Sequence, residues 1–166
     1  MKKINKNKID LKKNIETISR LRSSLKNNEI ARSICKENEF EYSALDGIPI
    51  SFSSEIDVKA KTKNGEIFIN QDLSDEPIHR LMSYLIHEIT HVFQHIERIG
   101  KKDPYKGKEY LDRPDEIEAF QNQIKQDADT RADSEVRGYV EDLVEYHDVP
   151  KSEKDNKIKE LTEHIN

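Results

Sequence analysis

The chain has one cysteine, no tryptophan, and only five glycines and five prolines in 166 residues. A lone cysteine, Cys35, excludes an intrachain disulfide and any zinc-finger site built on two or more thiolates. Cys35 is therefore expected as a core thiol. No stretch reaches the roughly 18 apolar residues that a membrane-spanning helix needs. Lysines near the N-terminus are not followed by an apolar run, so no signal peptide is expected, and the cytoplasm is the expected compartment. An excess of one charge is also missing. The 28 Lys and Arg are interleaved with 33 Asp and Glu, for a formal net charge of -5. Beyond the lysine-rich start, Met1 to Lys13, no block is strongly basic, so neither nucleic acid nor a membrane is an expected partner. Glycine-rich phosphate loops, a serine-centred nucleophile elbow, internal repeats and low-complexity tracts are all absent.

What is present reads as one mixed α+β domain, mostly helical, over residues 1–150, with a charged tail over 151–166. Hydrophobic residues are 34% and charged residues 37%, a balance that calls for much solvated helix surface. Residues 1–45 read as helices: Ile4, Leu11, Ile15, Ile18, Leu21 and Leu25 share one helical face. Residues 46–73 read as a small antiparallel sheet. Ile50–Ser53, Ile56–Ala60 and, more weakly, Ile67–Ile69 alternate, and Asn64-Gly65 marks a hairpin because both residues accept positive φ. Residues 74–100 form a third helical segment, with Ser74 or Asp75 as its cap, Pro77 in its first turn and Gly100 at its end. A further helix is expected over 114–148, with a bend near Gly138 and Pro150 beyond its end.

The segment from Ile78 to Ile99 carries the chemistry. At 100° per residue, Ile78, Leu81, Leu85, Ile89, Val92, Ile96 and Ile99 gather on one side, flanked by Met82, Ile86 and Phe93. His87, His91 and His95 lie opposite, with Arg80, Tyr84 and Glu88. Two histidines four residues apart stand one turn from each other, where both rings can hold one ion at about 2.0–2.1 Å. Glu88, beside the first histidine, lies too far round to complete that pair but can reach a water on the ion's open side. His87-Glu88-Ile89-Thr90-His91 is thus an H-E-x-x-H arrangement of two ligands and a general base.

A third ligand is needed. The longer pattern H-E-x-x-H-x-x-G-x-x-H is ruled out, because Gln94 stands at the glycine and Glu97 at the last histidine. His95, a further turn along a straight helix, cannot converge well with the other two. A glutamate from the next helix can. Pro114 suits a first helical turn, and Asp115, Glu116 and Glu118 lie near its positive end. Glu116, Ala119 and Phe120 share a face, and a small residue at 119 permits close approach. That favours Glu116 as ligand, leaving Glu118 as the alternative ligand or as an acid that orients a ligand histidine through its other nitrogen. Tyr110, Arg113, Tyr105 and His95 are candidate donors to a developing oxyanion.

His87-Glu88-Ile89-Thr90-His91, followed by Glu116-Ile117-Glu118-Ala119, resembles the gluzincin class of zinc metallopeptidases, and in particular the compact one-domain members of phages and bacteria. The resemblance covers roughly residues 64–120. It implies a zincin-like fold whose sheet precedes the metal helix, and Zn²⁺ held by His87, His91 and Glu116. It also implies hydrolysis of peptide or protein substrates by water that Glu88 activates. Substrate would lie extended along the strand near Glu66–Asn70. Many gluzincins carry an aspartate four residues after the ligand glutamate; here that position is Phe120. Two other readings share the same residues: a protease narrowly specific for one regulator or host target, and a metal-binding interaction protein without catalysis.

Overall fold

A computed structural model describes residues 10–165; Ile4 of the expected N-terminal face lies outside them. The order is α1 (Leu11–Leu25), α2 (Glu29–Glu37), β1 (Ile50–Ser53), β2 (Ala60–Lys63), β3 (Glu66–Asn70), α3 (Ile78–Glu97), α4 (Pro114–Thr130), α5 (Asp133–Tyr146) and α6 (Lys154–Leu161). The architecture is α+β and mostly helical, as expected. Among the described residues no helix is long and apolar enough to cross a membrane.

α3 is the axis of the fold, because it is apolar on one side and useful on the other. Leu81, Leu85, Ile86, Ile89, Val92 and Phe93 pack against α1, α2 and the sheet in one core, which also buries Cys35. The apolar stripe outruns that core: Ile96 and Ile99 are exposed. The same holds for α1, where Leu21 and Leu25 are buried but Leu11 and Ile15, expected on the buried face, are exposed. Pro77 takes the N-cap position of α3 without a side-chain bond, so Ser74 and Asp75 do not cap it.

The sheet is mixed, which corrects the expected antiparallel one. β3 is central, antiparallel to β2 and parallel to β1. The Asn64-Gly65 turn, with φ of 52° and 77°, makes β2 and β3 a tight hairpin. Residues 54–59 then carry the chain across the sheet, so β1 lies on the far side of β3. Ile56–Val58 are therefore part of this crossing, not of a strand. The face bearing Ala60, Thr62, Ile67 and Ile69 covers α3.

α3 packs most extensively against α4, whose Ala119 is fully buried. Polar clamps set this register. Ser83 Oγ donates to Asp127 Oδ1 at 2.6 Å, Asn122 Nδ2 donates to Thr90 Oγ1 at 3.1 Å, and Gln94 Nε2 donates to the Asp115 carbonyl at 3.0 Å. The helix expected over 114–148 is two helices. It breaks at Arg131 and Ala132, both extended, while Gly138 lies inside α5. Glu135 accepts the Ala132 N–H and so starts α5 without a glycine or proline. The expected charged tail contributes α6, and Leu161 is buried with Leu111, Phe120, Ile124, Val136, Val140 and Val144 in a second core.

Candidate metal centre

His87 and His91 leave α3 one turn apart and meet Glu116 at the first turn of α4. The distances are 3.1 Å between His87 Nε2 and His91 Nε2, 3.2 Å from His91 Nε2 to Glu116 Oε2, and 3.5 Å from His87 Nε2 to Glu116 Oε2. Four ligands at 2.0–2.1 Å around a tetrahedral ion lie about 3.3–3.4 Å from each other. The three donor atoms therefore match three corners of such a site. His87, His91 and Glu116 form a largely buried group that could hold a metal ion.

Hydrogen bonding around His91 supports this. Gln94 Nε2 donates to the Asp115 carbonyl and, at 2.7 Å, to Glu118 Oε2, so the Gln94 oxygen is left as an acceptor. That oxygen lies 2.8 Å from His91 Nδ1, which must then carry the proton. In a neutral ring this leaves His91 Nε2 as a lone pair, facing the carboxylate of Glu116. Such a gathering of acceptors calls for a cation, either a proton or a metal. Without a metal, burial would lower the His91 pKa, but the hydrogen bond and charge of Glu116 outweigh it and raise it. Glu116 shows the reverse: burial would raise its pKa, but hydrogen bonds from His87 and His91 hold it well below the ordinary carboxylate range.

Glu118 is exposed and does not join the group. Nor does it orient a ligand ring through that ring's other nitrogen, the second role expected for it: Gln94 stands between it and His91. His87 has no such support. Its Nδ1 is buried without a partner among the described residues, and the ring meets Phe120 edge-on, with centroids 4.5 Å apart.

Glu88 is buried beside the group. Its Oε2 accepts a hydrogen bond from Thr62 Oγ1 at 2.7 Å, so β2 restrains the carboxylate. A cleft of about 690 Å³ runs from His87 and Glu88 past Tyr110 and Phe120 to α5. Tyr110 thus reaches the site. Burial first, and then the Glu116 and Glu88 carboxylates, raise its pKa and keep the phenol a donor. Its ring stacks on His147 at 4.6 Å. Arg113 instead pairs with Asp103 and Asp115, Tyr105 lies under Arg98, and His95 stacks outside His91; none of the three lines this cleft. β3 has both edges paired, so Glu66–Asn70 cannot take an added strand; the open edge beside the cleft is β2.

Thr62, Gln94 and His147 were not singled out by sequence. Gln94 lies three residues after His91 on the same helix, a spacing that brings side chains together. Thr62 and His147 come from distant segments and leave no local signal. Compared with protein-family models, curated proteins and solved structures, the chain matches none.

Proposed function

We propose that this protein is a zinc-dependent metallopeptidase of the gluzincin kind, with His87, His91 and Glu116 as the metal ligands. The observation that carries this reading is the convergence of those three donor atoms at tetrahedral spacing, with Glu88 buried next to them. Two imidazoles and one carboxylate are a donor set suited to zinc and leave one position open. Zinc held there would supply Lewis acidity, polarising a carbonyl and acidifying a neighbouring water.

This chain's own residues supply the rest. Glu88 accepts the proton of the attacking water and passes it to the leaving amine. Thr62 limits the carboxylate's rotation. The Tyr110 phenol, kept protonated, donates to the carbonyl oxygen as it gains charge. The open edge of β2 pairs with an extended substrate backbone.

The test is a comparison of wild type with Glu88→Gln on a broad peptide library. Wild type is expected to cleave, and Glu88→Gln to keep its metal while losing hydrolysis by at least about a hundredfold. Full activity in the variant would remove Glu88 from the reaction.

A further inference from the structure

The cleft contains more than the proposed reaction uses. Tyr139, Leu143 and Tyr146 come from α5, where Leu143 is buried in the second core with Val136, Val140 and Val144 and Tyr139 packs against it. Tyr84 comes from α3, one turn before Glu88, and Phe120 from α4. Core packing accounts for Leu143 and Phe120. It does not account for Tyr146, which is 81% exposed, or for Val58 across the opening, which is 47% exposed.

Charge is arranged differently. Among the described residues, no lysine or arginine lies on the inner wall. Lys59 lies at the rim, with its ammonium 5.3 Å from the centre of the Tyr84 ring. Asp57 and Asp142 are exposed at the same opening, and neither forms an ion pair among the described residues. An acidic side chain inserted here would meet two carboxylates, Asp57 and Asp142, against the single cation Lys59, so the opening favours a basic residue. A small aliphatic one would leave the aromatic walls unfilled. The volume lies within the usual range for ligand pockets and exceeds what one side chain occupies, so backbone can enter as well.

We infer that this cleft selects an extended peptide that inserts one aromatic side chain past Tyr146 and Val58 at the mouth and between Tyr84, Phe120, Tyr139 and Leu143, with a basic residue beside it facing Asp57 and Asp142. Edge-to-face contact with the tyrosines favours an aromatic ring over an aliphatic chain. The open edge of β2, at Ala60, holds the peptide backbone. The inference rests on the peptidase reading only in placing that residue next to the scissile bond.

The protein has no tryptophan, so a tryptophan in the ligand reports alone when excited where tyrosine does not absorb. The probe is acetyl-Gly-Trp-Lys-Gly-amide, titrated into full-length Glu88→Gln as purified. A saturable blue shift is expected. Acetyl-Gly-Trp-Glu-Gly-amide should bind about fivefold or more weakly at low salt, with the gap closing as salt rises. The double variant Tyr146→Ser/Val58→Ser changes only exposed positions and should weaken the lysine peptide about tenfold. No shift, equal binding of the two peptides, or unchanged binding by the double variant would overturn the inference. Binding without any hydrolysis by wild type would sustain it and count against the peptidase reading. Hydrolysis with no aromatic preference would do the opposite.

Discussion

Replacing Gln94 with alanine should loosen the metal centre without touching a ligand. Gln94 is 7% exposed and makes three contacts: its oxygen faces His91 Nδ1, and its amide bonds the Asp115 carbonyl and Glu118. Alanine frees the His91 ring to rotate and to exchange its tautomer. Loss of a partner behind a ligand histidine typically weakens metal binding 10- to 100-fold, or about 1.4–2.7 kcal/mol. The upper part of that range is expected here, because His87 Nδ1 has no partner among the described residues to hold that ring in place. Folding should lose about 1–3 kcal/mol, the usual cost of leaving a buried polar group unpaired. The assay is competition with a coloured chelator, at a temperature where circular dichroism shows the variant folded. Gln94→Glu is a sharper form of the same test. It keeps an acceptor for His91 but sets a carboxylate against Glu118, and adding Glu118→Gln should restore most of the affinity. Metal affinity within twofold of wild type for Gln94→Ala would refute this account of how His91 is held.

Thr62→Val removes the hydroxyl bonded to Glu88 and should lower turnover about tenfold while leaving metal affinity unchanged; an equal loss of both would mean that Thr62 only supports the fold. Leu161→Ala should cost about 2–5 kcal/mol in a denaturant titration, because Leu161 is only 1% exposed; a change under about 0.5 kcal/mol would detach α6 from the domain. The metal-free centre should also set a pH dependence. The raised pKa of His91 gives stability that is full below its unfolded value near 6.5 and is lost as pH rises through the folded value. The depressed Glu116 gives stability that is full above about 4.5 and is lost as pH falls through its folded value. Metal must displace the His91 proton, so the rise in melting temperature on adding zinc should grow from about pH 6 to 8. A rise that shrinks over that interval would contradict the assignment.

Local rules carried the reading of the sequence wherever neighbours along the chain decide the structure. The turn at Asn64-Gly65, the start of α4 at Pro114 and the opposed faces of α3 all follow from one or two residues or from a period of 3.6. His87, Glu88 and His91 were readable for the same reason. Glu116 needed one more inference, the close approach allowed by Ala119. What stayed hidden depends on distant partners. The parallel pairing of β1 with β3 follows from the path of residues 54–59, whose alternation looks like a strand. The break at Arg131 carries no glycine or proline, while Gly138, which does look like a break, is held in α5 between Val136 and Val140. Ile96 and Ile99 continue an apolar stripe past the point where the core ends. Thr62 meets Glu88 only because the hairpin lays β2 across α3.

The central claim is that two imidazoles and one carboxylate share a metal ion. Metal content of the purified wild type, His91→Ala, Glu116→Ala and Glu118→Ala proteins by plasma mass spectrometry tests it most directly. Close to one equivalent of zinc is expected in wild type and in Glu118→Ala, with loss in His91→Ala and Glu116→Ala. A metal-free wild type, or zinc retained by Glu116→Ala and lost from Glu118→Ala, would contradict the account.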